Sequence, residues 1–151
     1  MTACSKRMAP IVTAGALVAA GLAGCSSEPP PQARQPGTVP AGTANVSIDG
    51  RAVGTDQNVS CMTTGTLTTV DIGTEQAGST AVISSSPDLV IQTVSIRNQG
   101  GFTGSYNAGL GDPAQVNVAG RTYQIDGTAD GFATDSPSFR KSGKFSIQVS
   151  C

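Results

Sequence analysis

The C-terminal end of the chain alternates apolar and polar side chains with a period of two residues. The apolar positions are Phe145, Ile147, Val149 and Cys151, and the polar positions between them are Ser146, Gln148 and Ser150. Because successive side chains of a strand point to opposite faces of a sheet, this pattern predicts a strand with one buried face. Val, Ile and Thr alternate with polar residues in much of the preceding chain, and no capped helical stripe is present. The sequence therefore predicts an all-β fold, namely a small antiparallel sandwich or barrel of about seven to nine short strands.

Strand-like segments and turn residues divide the chain from residue 44 onward. Candidate strands cover residues 45–49, 59–63, 67–72, 80–84, 89–97, 104–106, 114–118, 122–128 and 144–151. The glycines that follow Asp49, Ala119, Asp126 and Asp130 are expected to take positive φ where the chain reverses. A short helix could lie within residues 73–78 or 132–140, although neither stretch has a helical pattern.

The first 25 residues have the organisation of an export signal. Lys6 and Arg7 precede a charge-free run that is too short for a comfortable membrane-spanning helix, which needs about 20 apolar residues. The run ends in Leu22, Ala23, Gly24 and Cys25, which resembles the lipobox of bacterial lipoprotein precursors. The resemblance implies that the chain is cleaved after Gly24 and that the thiol of Cys25 carries the lipid.

The sequence therefore predicts three parts. Residues 1–24 form the lipoprotein signal peptide, residues 25–43 contain the acylated cysteine and a disordered spacer rich in Pro, Ser and Thr, and residues 44–151 form the β domain. One acyl chain holds a protein only marginally, whereas two or three make the attachment effectively permanent. We expect the mature protein to be tethered to the extracytoplasmic face of the cell membrane, with membrane lipid as its partner.

Two cysteines remain after Cys4 is cleaved off and Cys25 is acylated. These are Cys61 and Cys151, an even pair in an oxidising compartment. A redox or metal-binding role is disfavoured because the chain has no C-x-x-C spacing and no histidine. We predict a structural disulfide that joins an early strand to the last one.

Few residues offer catalytic or cofactor chemistry. The absence of histidine excludes Ser-His-Asp and Cys-His nucleophile systems, and no glycine run matches a phosphate-binding loop. Asp126, Asp130 and Asp135 could gather a calcium ion, but their spacing is not that of an EF-hand loop. Removal of residues 1–24 takes away Lys6 and Arg7, which leaves seven basic against ten acidic side chains and no basic face for nucleic acid. We expect no metal, no cofactor and no catalytic residue.

All six aromatic residues lie in the second half of the chain. They are Phe102, Tyr106, Tyr123, Phe132, Phe139 and Phe145. Two interpretations are open: the rings form the core of the larger sheet, or they line a pocket for an apolar ligand.

Several short segments resemble the mycobacterial LpqH/LppE lipoprotein antigen family over the full mature length. They are residues 46–50, 56–59 with Cys61, 70–73, Tyr106 with Gly109 and Gly111, 123–131 and 144–151. The resemblance implies an acylated, surface-exposed and often glycosylated envelope protein, sensed by host innate receptors through its lipid and without known catalytic activity. The spacer departs from the best-known member because it is rich in proline where that member is richer in Thr, Ser and Ala.

Three functions are open at this point. The favoured one is a non-enzymatic envelope lipoprotein, a surface antigen whose β domain is a binding or structural module. The alternative is a carrier that holds an apolar envelope lipid or glycolipid among the aromatic side chains. A carboxylate-dependent glycan hydrolase is the least favoured, because no pair of carboxylates is placed within the period of one strand.

Overall fold

The computed structural model describes residues 36–151, in which ten β-strands and no helix are present. The strands are β1 (Ala44–Ile48), β2 (Arg51–Asp56), β3 (Val59–Thr64), β4 (Leu67–Gly73), β5 (Gly78–Ser84), β6 (Val90–Gln99), β7 (Phe102–Asn107), β8 (Gln115–Ala119), β9 (Thr122–Ala133) and β10 (Ser136–Ser150). The predicted all-β fold is confirmed.

The ten strands form one antiparallel sheet that curls until its edges meet. The strand order is β2-β1-β10-β9-β7-β6-β5-β4-β3, and β8 pairs with β9. The edge strands β2 and β3 are opposite ends of this order, yet only Gln57 and Asn58 separate them along the chain. Because such a connection spans at most about 11 Å, the two edges come together there. The sheet is a nearly closed, barrel-like structure.

The nine predicted strands are confirmed as β1 and β3 to β10, whereas β2 (Arg51–Asp56) was not predicted. Five of its six residues are exposed and the sixth is half-buried, so the strand carries no alternating pattern. It also pairs with β1 across a β-bulge between Val46 and Ser47. An exposed edge strand with a bulge leaves no hydrophobic period in the sequence.

Two of the four predicted glycine turns are wrong. Gly50 and Gly120 take positive φ at chain reversals, as predicted, but Gly127 and Gly131 lie inside β9. A Cβ atom on Gly127 would lie 2.7 Å from Cζ of Phe145, and one on Gly131 would collide with the backbone of Thr103. These two glycines allow close packing rather than a turn. The two stretches considered for a short helix form the β4–β5 turn and the β9–β10 hairpin instead.

The core lies inside the curled sheet and is built mainly from β-branched side chains. Its largest fully buried members are Phe102, Ile72, Ile83, Ile91, Ile96, Ile125, Ile147, Val70, Val94 and Val149. The predicted C-terminal alternation is confirmed, because Phe145, Ile147 and Val149 are buried. Ser150, predicted on the polar face, is also buried, since its backbone pairs with Gly42 and Thr43.

Two of the three aromatic rings in the core rest on glycines. Phe145 lies opposite Gly127 in the β9–β10 ladder, so its ring covers a position that has no side chain. The Phe102 ring covers Gly104, two residues along its own strand, and Gly143 of β10. The small barrel accommodates these large rings because the glycines supply no side chain at those points.

We predict that Gly127→Ala lowers the free energy of unfolding by about 1–3 kcal/mol, the usual cost of overpacking a core. The new methyl group would lie 2.7 Å from the Phe145 ring, so the ring must move. Denaturant unfolding of G127A, F145L and the double variant measures the effect as a double-mutant cycle. Gly127→Ala should lower the free energy of unfolding less in the F145L protein than in the parent protein. An equal loss in both proteins would contradict the packing explanation.

A disulfide joins Cys61 of β3 to Cys151, the residue after β10, as predicted. Their Cα atoms are 5.8 Å apart and their sequence separation is 90 residues. β3 pairs with β4 alone and is exposed along most of its length, so few other contacts hold this edge of the sheet. The disulfide attaches β3 to the C-terminal end of β10, a strand near the opposite edge of the sheet.

We predict that the Cys61→Ala, Cys151→Ala double variant loses up to about 4–5 kcal/mol of stability, because the bridge closes a long loop in the unfolded chain. Denaturant unfolding of the mature protein with and without reductant provides the measurement. The double variant should match the reduced parent protein and should not respond to reductant. Equal stability of the oxidised parent and the double variant would contradict a stabilising role.

The β1–β2 turn is fixed by an aspartate that contacts β10. Asp49 and Gly50 both have positive φ, as a type I′ hairpin turn requires. One Asp49 carboxylate oxygen pairs with Nζ of Lys141 at 2.8 Å, and the other accepts a hydrogen bond from the Lys144 backbone N–H at 2.9 Å. The Lys141 ammonium group and the Lys144 amide hold the pKa of Asp49 below its usual range.

We predict that Asp49→Asn lowers stability near pH 7 by at most about 1 kcal/mol, since both charged side chains are well exposed. Asn also tolerates the left-handed backbone, so the variant removes mainly the charge. Because the folded-state pKa is lowered, the stabilisation exists above the unfolded pKa of about 4 and disappears as pH falls through the folded value.

Denaturant unfolding at about pH 7 and about pH 2 tests this expectation, and the gap between the parent and D49N should close in acid. Asp49→Ala is the matched control. It also loses the turn preference, so it should remain less stable than D49N at both pH values. A difference between the parent and D49N that persists in acid would show that the charge is not the cause.

Candidate functional site

The lipidation site lies outside the described residues. This holds for Leu22, Ala23, Gly24 and Cys25 and for the spacer up to residue 35. The described chain begins at residue 36, and its first part already contacts the β domain: the Val39 N–H donates to Oγ1 of Thr122 at 3.2 Å. The first strand, β1, begins at Ala44.

The start and the end of the described chain meet at one pole of the barrel. The Gly42 N–H donates to the Ser150 carbonyl at 2.8 Å, and the Ser150 N–H donates to the Thr43 carbonyl at 3.0 Å. Cys151 and its disulfide lie at the same end, where the Cys151 N–H donates to the Arg121 carbonyl. We call this end the N-terminal pole. The Asp49 turn lies at the opposite end of β1.

The structure does not bring the six aromatic residues together into one pocket. Phe102, Tyr106 and Phe145 are buried in the core, and the rings of Tyr106 and Phe145 meet edge to face with centroids 6.4 Å apart. The Tyr106 hydroxyl accepts a hydrogen bond from the Ala114 N–H at 3.1 Å. Tyr123 and Phe132 are half-buried, whereas Phe139 is 76% exposed. The buried members support the core interpretation of these rings.

The aspartates considered as calcium ligands do not form a cluster. Asp126 and Asp130 lie within β9, where Asp126 accepts a hydrogen bond from Nε2 of Gln124 and Asp130 accepts one from Ser142. Asp135 lies between β9 and β10. No group of three His, Cys, Asp or Glu side chains in residues 36–151 is arranged to hold a metal ion.

A cleft of about 390 Å³ separates the β1–β2 turn from the β6–β7 turn. Asp49, Arg51 and Lys141 line it together with the core residues Ile48 and Phe102. The ion pair between Asp49 and Lys141 already compensates two of the three charges. Arg51 is therefore the only uncompensated charge in the lining of this cleft. One exposed positive charge is too weak an attraction to hold an anion strongly.

A groove crosses the outer face of β2, β1, β10, β9 and β8. Its floor is a row of residues paired in register: Ala52, Ser47, Ser146, Asp126 and Gln115. Two depressions of about 320 and 390 Å³ form the groove, and both are lined by Ser47 and Ser146. The groove is deepest where the floor residues are small, at Ala52, Ser47 and Ser146. We call it the transverse groove.

A row of carboxamide side chains runs beside this floor. Asn45, Gln148, Gln124 and Asn117 are paired in register across β1, β10, β9 and β8, and we call them the amide row. Asn45 accepts a hydrogen bond from Thr55, and Gln124 donates to Asp126. The side chains of Gln148 and Asn117, with those of Ser47 and Ser146, make no hydrogen bond to residues 36–151, so solvent is their partner.

Sequence reasoning missed both features. Each of β1, β8, β9 and β10 contributes two polar residues separated by one apolar residue, such as Asn45 and Ser47 on β1. That pattern was visible but is typical of any solvent-facing side of a strand. Only the register aligns amides with amides and serines with serines.

Residues 36–151 contain no helix with the length and hydropathy that a membrane span requires.

Comparisons with known proteins identify the family. The family model described as Mycobacterium 19 kDa lipoprotein antigen matches residues 37–151. A putative lipoprotein of Mycobacterium indicus pranii is 35% identical over 93% of this chain and 96% of its own length. The probable lipoprotein LppE of Mycobacterium tuberculosis is 33% identical over 97% and 99%, and the lipoprotein LpqH of Mycobacterium bovis is 31% identical over the same shares. The chain thus belongs to the mycobacterial 19 kDa lipoprotein antigen family, as its sequence motifs had suggested.

Proposed function

We propose that this chain is a non-enzymatic, lipid-anchored lipoprotein of the cell envelope whose β domain serves as a binding or structural module. Residues 1–24 are removed, Cys25 carries the acyl chains, and residues 25–43 act as the spacer on the extracytoplasmic side. The observation that carries the proposal is the lipobox Leu22-Ala23-Gly24-Cys25, in a chain whose relatives along nearly its whole length are named lipoproteins. Each buried methylene of an acyl chain contributes about 0.8 kcal/mol to the anchor.

The non-enzymatic part of the proposal is supported by the residues available for chemistry. The chain contains no histidine. The pKa of Asp49 is shifted downward, whereas a general acid needs a raised pKa. The described aspartates of β9 are held by Gln124 and Ser142 rather than by each other.

The alternative carrier function receives no separate support. It required the aromatic side chains to surround a ligand, and the three buried rings instead fill the core among Ile and Val side chains. We therefore retain the anchored module as the single proposed function.

We predict that Cys25→Ala abolishes acylation, since no other side chain at that position offers the thiol. Expression in a mycobacterial host, followed by detergent phase partition and intact mass measurement, provides the test. The parent protein should lack residues 1–24, carry acyl mass and enter the detergent phase, whereas C25A should carry no acyl mass. Cys4→Ala is the matched control, because Cys4 lies in the segment that is removed, and it should behave as the parent does. A C25A protein that still carries acyl mass would contradict the proposal.

A further inference from the structure

We propose that the transverse groove and the amide row bind a segment of an uncharged glycan. The inference rests on the proposed function, since it names the class of ligand that the β domain would take as a binding module. It is carried by the alignment of the floor row and the amide row across five strands.

The hydrogen-bonding groups of this surface match those of a sugar. The side-chain amides of Gln148 and Asn117 each offer donors and an acceptor, and the hydroxyls of Ser47 and Ser146 offer both. None of these four side chains bonds to another described residue, so exchange of solvent for ligand breaks no protein contact. Sugar hydroxyls are likewise both donors and acceptors. A surface of amide and hydroxyl side chains therefore satisfies their hydrogen bonds without a charged group.

The composition of the surface disfavours other classes of partner. Asp126 and Lys144 are the only charged residues that line the two depressions, and their charges are opposite. A nucleic acid requires a basic stripe, which is absent from this lining. Protein interfaces have an apolar centre, but the large apolar residues here, Val46 and Phe145, are only 3% and 2% exposed.

The shape of the groove sets the length of the ligand. The floor crosses four strand-to-strand spacings from Ala52 on β2 to Gln115 on β8, which is about 19 Å at about 4.8 Å per spacing. One strand spacing is comparable to the length of one pyranose unit in a linear glycan. The side chains also stand on paired strands, so little ordering is needed when a ligand binds.

The test uses the acylated, full-length mature protein in a detergent without a sugar headgroup. The probes are linear cello-, malto- and manno-oligosaccharides from the monosaccharide to the hexasaccharide, titrated by calorimetry. At least one series should bind with an affinity that rises until the ligand has about four units and then levels off. Added salt should change this affinity little, because the groove has no net charge.

A matched pair of double variants locates the site. Ser47→Val, Ser146→Val fills the floor at two directly opposed outer positions, and Ser95→Val, Ser105→Val makes the same change at an opposed pair on β6 and β7. The first should weaken binding at least about tenfold, since it removes two hydroxyls and blocks the floor, and the second should leave it unchanged. Gln148→Ala shortens an outer side chain and should also weaken binding at unchanged melting temperature.

Three results would overturn the inference. They are a failure of every neutral series to bind, an equal loss of binding in both serine variants, and a binding confined to anionic oligosaccharides and abolished by salt. The same preparation is assayed for acyl mass by intact mass measurement. A protein that carries acyl mass as expected but binds no sugar refutes the glycan site alone, whereas a Cys25→Ala variant that still carries acyl mass refutes the proposed function.

Discussion

The ladder formed by β1, β10 and β9 is the interaction on which the rest of the structure depends. β10 is the longest strand and pairs with β1 on one side and with β9 on the other. As the last strand, it thereby pairs directly with the first strand of the domain, and the hydrogen bonds of Gly42 and Thr43 to Ser150 extend this pairing beyond the strands. The disulfide from Cys151 to Cys61 then brings in β3, the strand at the far end of the sheet order. A domain of this size buries only a modest core, and in this nearly closed sheet the disulfide holds the β3 edge to the end of β10.

A second constraint is the alternation of large and small side chains across the barrel wall. Inside, Phe145 covers Gly127 and Phe102 covers Gly104 and Gly143, so the rings fit where a glycine supplies no side chain. Outside, Ser47 and Ser146 lie between larger neighbours and leave a groove. The same β1–β10 register that buries Ile147 against Val46 also sets Ser146 beside Ser47. Core packing and the outer surface are therefore two consequences of one pairing.

The proposed function and the glycan inference place two roles in different parts of the chain. The proposed attachment is at Cys25, outside the β domain, and the proposed recognition is on the outer face of five strands. The N-terminal pole gathers residues 42 and 43, Ser150 and the disulfide at one end, and the transverse groove lies on the side of the barrel. The two proposals therefore concern different residues of the chain.

The sequence by itself determined the all-β class, the position of nearly every strand, the core face of residues 145–149 and the pairing of Cys61 with Cys151. The strand predictions follow from the two-residue period, which is a local property of the sequence. The disulfide prediction follows from the number of cysteines. It did not determine β2, because an exposed strand with a bulge has no period, and it misassigned Gly127 and Gly131, because an Asp-Gly pair reads as a turn wherever it occurs. Only the tertiary structure showed that Phe145 needs the space above Gly127. It alone also aligned Asn45 with Gln148, Gln124 and Asn117, since register is set by contacts between strands far apart in the chain and cannot be read from any one of them.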